Sequence, residues 1–253
     1  MSDGLSLYLL VALGAGIAGF VQGLSGFAFG LTAMSIWAWS VEPRLAAVLA
    51  TFGALTGQVI AAVTVRRGFD MRALLPFVIG GLVGVPLGVW LLPHLDAVLF
   101  KACLGALLVP WCLAMLFARS LPRVRWGGRP ADAVSGLLGG VCGGVGGFTG
   151  PIPTLWCTLR GLERDAQRAI IQNFNLSMLA VAFALQVGAG HVPVAMLPML
   201  AIVAVCVLVP VLLGARLYVG LSELAFRRVV LSLLTVSGVV LLVSSVPALL
   251  QRG

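Results

Sequence analysis

Residues 136–153 read GLLGGVCGGVGGFTGPIP, and residues 19–30 read GFVQGLSGFAFG. Each string sits in the middle of an apolar stretch, residues 131–160 and 5–40, that is too long for a single membrane crossing. As uninterrupted helices these stretches would be about 45 Å and about 50 Å long at 1.5 Å per residue. Their centres are dense in glycine and, in the second, proline, which both disfavour a continuous helix. Each stretch is therefore expected to break and fold back.

The two strings also align. At an offset of 121, Gly19, Gly23, Gly26 and Phe27 fall on Gly140, Gly144, Gly147 and Phe148, and Glu42 falls on Glu163. Farther along, Pro76 matches Pro198 and Pro86 matches Pro210. At an offset of 126, Leu91, Leu95, Phe100 and Lys101 fall on Leu217, Leu221, Phe226 and Arg227. The chain thus reads as a duplication, with residues 1–125 and 126–253 as two copies of one unit. Each broken segment is followed by three apolar runs of about 20 residues, the length that spans a hydrocarbon core. They cover residues 45–65, 73–93 and 97–118 in the first copy, and 169–188, 192–214 and 229–250 in the second.

Composition agrees. Of 253 residues, 60% are apolar and 9% charged, against about 25% charged in a soluble domain. So few polar side chains cannot cover a soluble core, and an all-α integral membrane protein is expected. The opening MSDGLSLYLL lacks a basic n-region and a small-residue cleavage site, so it does not read as a signal peptide. The net charge of +8 is the mark of basic cytoplasmic loops rather than of a nucleic-acid partner. Cys103, Cys112, Cys142, Cys157 and Cys206 form no CxxC pair and have no clustered histidines. No metal site, cofactor or disulfide framework is expected.

The basic residues orient the chain. If each broken segment crossed once, they would divide evenly, eight to eight, between the two sides. If each is a re-entrant hairpin, Arg66, Arg67, Arg72, Arg119, Arg123, Arg125, Arg129, Arg160, Arg164, Arg168, Arg216, Arg227 and Arg228 share one side, and Arg44, Lys101 and Arg252 lie opposite. The positive-inside rule selects the second arrangement. Three crossings per copy then make the repeats inverted, with both termini outside the cytoplasm and the protein in the inner (plasma) membrane.

A hairpin tip inside a membrane must be buried in protein or line a cavity. Its second arm begins with free N–H groups and a positive dipole end, which suits a small anion. The expected binding residues are Gln22, Ser25 and Gly26 at the first tip and Gly147 and Thr149 at the second. The first full span of each copy adds Thr56 and Gln58, and Gln172 and Asn175, the last two sharing a helix face. Asn173, Ser177 and Thr51 are further polar residues of these spans. Lys101 is expected to snorkel to the interface, His94 and His191 to be turn residues, and Arg160, Arg164 and Arg168 to form a basic cytoplasmic face. No acidic residue lies in the six full spans, so a carboxylate proton relay is not expected. A rival reading takes Gly23-Leu24-Ser25-Gly26 as the GxSG of a rhomboid-type intramembrane serine protease. That chemistry needs a histidine within reach of Ser25, and both histidines fall at outer span ends. A passive anion channel is the other alternative.

With its duplicated halves, glycine-rich openings and repeated L-x3-L-[SD]-x3-F-[KR] pattern at Leu91–Lys101 and Leu217–Arg227, the chain resembles the sulfite exporter TauE/SafE family, also called the toluene-sulfonate uptake permease family. The resemblance implies a secondary transporter, not an enzyme, that moves sulfite, thiosulfate or an organosulfonate such as sulfoacetate. The partners it implies are this small anionic substrate and the lipid bilayer, and a homodimer is left open. Phe27 and Phe29 stand where many relatives carry glycine, which bears on the substrate more than on the fold.

Overall fold

The computed structural model describes residues 2–64, 68–117, 123–124, 126–217 and 223–250, and among these the chain is helical without a strand. The first half forms α1 (Ser2–Ser25), α2 (Phe29–Trp37), α3 (Pro43–Thr64), α4 (Met71–Leu91) and α5 (Ala97–Leu116). The second forms α6 (Gly128–Gly146), α7 (Pro151–Leu159), α8 (Arg164–Gly188), α9 (Leu197–Leu217) and α10 (Glu223–Leu250). Both halves run as a long helix, a nine-residue helix and three more long helices. Arg66, Arg67, Arg119, Arg125, Arg252 and Leu221 lie outside the described residues, as do the side chains of Arg164, Phe226, Arg227 and Arg228.

Local chemistry sets the boundaries. Asp70 Oδ1 accepts from the amides of Arg72 and Ala73 and caps α4, and Asp96 caps α5 through Val98 and Leu99. Glu42 accepts from the Leu45 amide where α3 begins, and Glu163 holds the same place before α8. The helix breaks fall on single residues, Gly26 (φ 84°) and Gly147 (φ 74°). At Gly147 the Phe148 amide donates to Cys142 O (3.3 Å) and the Gly147 amide to Gly143 O (2.8 Å), closing a left-handed helix terminus. Apart from Gly150 in the turn before α7, the other glycines of the two strings stay helical. They act as contact surfaces: Gly19 and Gly23 face α9, while Gly136, Gly140 and Gly144 face α4. Glycine density thus localises each break rather than spreading it, and α1 runs unbroken for 24 residues.

Both short helices fold back. Trp37, at the end of α2, donates Nε1 to Leu10 O (3.3 Å) and lies on Gly14 of α1. In α7, Trp156 donates Nε1 to Asp132 Oδ1 of α6 (2.7 Å), and Arg160 Nη1 reaches both oxygens of the same carboxylate (2.7 and 2.8 Å).

The helix packing is reciprocal. α1 packs on α9 as α6 packs on α4, α3 meets α9 as α8 meets α4, α2 meets α10 as α7 meets α5, and α5 packs on α10. α1 and α9 run parallel, since Gly19 meets Val207 and Gly23 meets Val211. α4 and α6 also run parallel, with Gly80 on Ala133 and Gly88 on Val141. The counterparts α3 and α8 run antiparallel: Thr51 meets Gln186, Phe52 meets Phe183, and Gln58 and Gln172 both meet Gly26.

Among the described residues, six helices are long and apolar enough to cross a membrane: α1, α3, α4, α5, α8 and α9. α1 qualifies by itself over Leu5–Ser25, while the described apolar run of α10 is Leu234–Leu250. Side chains such as Leu5, Leu9 and Leu13 on α1, and Val205, Leu208 and Val209 on α9, are exposed on helix faces, as lipid contact requires. The chain is a multi-pass membrane protein. Phe29, Met34, Trp37 and Leu49 are fully buried around α2 in one core cluster, and Phe77, Phe174 and Met178 are fully buried in a second one between α4 and α8.

Candidate functional site

Gln22, Gly26, Gln58 and Gln172 converge at the turn between α1 and α2. Gln22 is buried and donates Nε2 to Ala54 O (2.9 Å). Gly57 makes room for it, because a Cβ at that position would strike the Gln22 amide. Gln58, also buried, donates Nε2 to Gly26 O (2.6 Å). The Gln172 amide nitrogen lies 3.7 Å from the place a Gly26 Cβ would take. These four residues and Arg168 line a cavity of about 20 Å³, room for one water at about 10–15 Å³. Gln22 Oε1 is buried without a hydrogen-bond partner.

The remaining expected residues sit elsewhere. Ser25 is exposed, and its Oγ accepts from the amides of Phe27 (3.4 Å) and Ala28 (3.1 Å), so it caps the turn into α2. Thr149 is buried with its methyl against Gly143, and Gly147 lies against the Thr51 backbone. Thr56 donates Oγ1 to Phe52 O (2.9 Å) and does not line the cavity. Asn175 is fully buried, and neither atom of its amide has a partner.

The two turns touch but do not share one level. Gly30 packs against Gly147 O, and Phe27 against Gly150. Along α3, however, the first turn is held at Gln58 and the second at Thr51, about 10 Å apart by helical rise. The long α1 causes this, since it carries its turn past the middle of α3.

Gln186 and Asp132 were not anticipated from sequence. Gln186 is fully buried, and its Nε2 lies 3.3 Å from both Thr51 Oγ1 and Gly144 O. A helical signal was there to find: eleven residues carry Asn175 to Gln186 within about 20° on the same face of α8. Asp132, buried in α6, pairs with Arg160, so Arg160 braces the second hairpin and is not a free member of a basic face. Arg168 lines the cavity. Lys101 stands over the Trp39 ring, 5.3 Å from its centroid, and Asn173 Nδ2 bonds the Ala169 and Gly68 carbonyls.

The protease reading is not favoured. His94 Nδ1 lies 2.9 Å from Trp90 O, and both His94 and His191 line a separate cavity with Pro86 and Pro93. Among the described residues no histidine contacts Ser25, whose hydroxyl is engaged by backbone amides.

No curated protein and no solved structure matches the chain. A family model described as sulfite exporter TauE/SafE matches residues 11–241, nearly its whole length.

Proposed function

The chain belongs to the sulfite exporter TauE/SafE family of membrane transporters, and on that premise we propose that it is a secondary transporter of a small sulfur-containing anion in the inner membrane. Sulfite, thiosulfate and organosulfonates such as sulfoacetate are the substrates proposed, moved by alternating access between two inverted repeats. The observation that carries the anion reading is the lining of the first-turn cavity. Neutral amides from Gln22, Gln58 and Gln172 meet Arg168 there, and no carboxylate is among the described lining residues. Amide donors hold an oxyanion without a second buried charge. The start of α2 turns a positive dipole end toward the same turn. At about 20 Å³ the cavity is too small for sulfite, so loading requires the first hairpin to part from α3 and α8.

The inverted-repeat part of the proposal draws support from the reciprocal packing and from the antiparallel course of α3 and α8. Repeats of like orientation would make those counterparts parallel. It predicts that residue 123 is cytoplasmic and the C-terminus beyond residue 250 external. Cysteine labelling from each side of the membrane checks this, and finding both positions on one side defeats the inverted arrangement.

The binding reading is tested in proteoliposomes with a panel of sulfur oxyanions and sulfonates. Hydrogen bonds to a charged group contribute about 1.5–3 kcal/mol, so Gln58→Ala and Gln172→Ala are each expected to weaken apparent affinity roughly tenfold or more at unchanged expression. Saturable uptake distinguishes a transporter from a channel. Failure to move any of these anions overturns the substrate class. Silence of both substitutions moves the site away from this cavity.

A further inference from the structure

One polar atom at the first-turn cavity is left over. Gln22 is 3% exposed, and its Oε1 has no hydrogen-bond partner. The other end of the amide fixes its orientation. Ala54 O can only accept, so Nε2 faces it (2.9 Å) and the oxygen is what remains. Buried acceptors are nearly always paired, and this one awaits a donor that no described residue supplies. Gly57, which lines the cavity, keeps the space beside this oxygen open, because a Cβ there would strike it. At the offset of 121 that aligns the two turns, Gln22 falls on Gly143. The second turn therefore has no counterpart of this acceptor.

The cavity supplies the rest of the recognition. It extends along one face of α3 through Gly57, Gln58, Ala61 and Thr64, and the exposed Thr64 marks a route in from the helix end. Arg168 is the one charged side chain among its described lining residues, and Gln172 adds an amide. One positive charge balances one negative charge. A dianion would keep an uncompensated charge in a largely apolar protein, at high cost. An oxyanion without a proton is all acceptor, and any oxygen it turned toward Gln22 Oε1 would be repelled.

On the anion reading of this cavity, we propose that Gln22 Oε1 selects a monoanion carrying its own O–H donor. Among sulfur oxyanions that is hydrogensulfite, in preference to sulfite, thiosulfate and sulfonates without a donor. Gln22 lies one turn before the break at Gly26. The turn can therefore swing away from Gln58 while the Gln22–Ala54 bond holds, and the acceptor stays in place as the cavity opens. Such an anion takes its own proton across the membrane, which suits six full spans without a carboxylate.

Thermal unfolding of the purified protein is followed during titration with sulfite, thiosulfate, methanesulfonate or hydrogencarbonate, all as sodium salts. Each titration is run on the acid and the alkaline side of the hydrogensulfite–sulfite equilibrium. Methanesulfonate has the charge and shape of hydrogensulfite with a methyl in place of the hydroxyl, and its charge is the same at both pH values. On the acid side, sulfite is expected to raise the unfolding temperature saturably. It should do so at a concentration roughly tenfold or more below that needed on the alkaline side, or by methanesulfonate, the scale of one hydrogen bond to a charged group. Gln22→Met keeps the length of the side chain and removes the acceptor, and is expected to make hydrogensulfite and methanesulfonate equally potent. Gln22→Leu provides an independent variant should the Met substitution fold poorly. Equal potency of these two anions on the wild type, a sulfite response unchanged between the two pH values, or a preference that survives in both variants overturns the inference. It does so even where thiosulfate or methanesulfonate is bound and transported, in which case the sulfur-anion reading stands. A response to hydrogencarbonate, another monoanion with an O–H, and to no sulfur anion upholds the donor requirement and counts against the substrate class alone. No response to any of the four overturns both.

Discussion

Gly84→Leu is expected to leave no folded protein in the membrane. α4 and α6 run parallel in close contact, with glycine on both helices: Gly80, Gly84 and Gly88 lie on Ala133, Leu137 and Val141, while Gly136, Gly140 and Gly144 lie on Phe77, Gly81 and Val85. A Cβ on Gly84 would strike the carbonyl oxygen of Leu137 and lie 2.9 Å from the Val141 amide nitrogen. Both are backbone atoms, so no rotamer change relieves the clash and the helices must separate. In lipid no hydrophobic gain draws helices together, and close van der Waals packing of small residues carries the association. Overpacking of ordinary cores costs about 1–3 kcal/mol, and a clash of two backbones along a whole seam exceeds that. The control is Gly188→Leu, where an added Cβ meets nothing within 4 Å. The yield of monodisperse protein in detergent should collapse for the first variant and hold for the second. Equal yields would mean that the α4–α6 contact is dispensable.

The seam also explains what could be read from sequence and what could not. The aligned glycines of the two strings gave the two breaks, because Gly26 and Gly147 alone adopt positive φ among them. The same glycines concealed the length of α1: a glycine facing another backbone supports a helix, and only the packing partner distinguishes it from a breaker. Gln22, Gln58 and Gln172 were legible as polar residues in apolar runs, and they share one cavity. Ser25 and Thr56 looked equivalent to them, yet their hydroxyls bond nearby backbone atoms, as short hydroxyl side chains commonly do. Gln186 stands apart from the polar cluster at residues 172–177, and only the helical period links it to Asn175. The buried carboxylate of Asp132 lies in a broken segment, outside the six full spans.

Gly147→Leu is expected to abolish transport, for a reason other than filling a vacant site. Gly147 has φ 74°, and a Cβ there would stand 3.0 Å from Thr51 Cα, 3.1 Å from Thr51 N and 3.2 Å from the Ala50 carbonyl carbon. Two costs add. The left-handed conformation costs a non-glycine residue about 1–2 kcal/mol, and the side chain pushes the second turn off α3. That contact joins the second half of the chain to the first, where movement between halves would take place, and it borders Thr51 and Gln186. Gly147→Ala separates the two costs when set beside Gly190→Ala. Gly190 has φ 75°, nearly the same strain, but a Cβ there meets nothing within 4 Å. Strain alone predicts that both alanine variants lose a similar, modest amount of stability and keep their transport rate. Displacement of α3 predicts that Gly147→Ala loses at least about tenfold in rate, the equivalent of about 1.4 kcal/mol, while Gly190→Ala stays near wild type. Anion uptake into proteoliposomes, normalised to folded protein, decides between them. If the two alanine variants transport equally well, the Gly147–Thr51 contact fixes the fold of the turn and takes no part in moving the substrate.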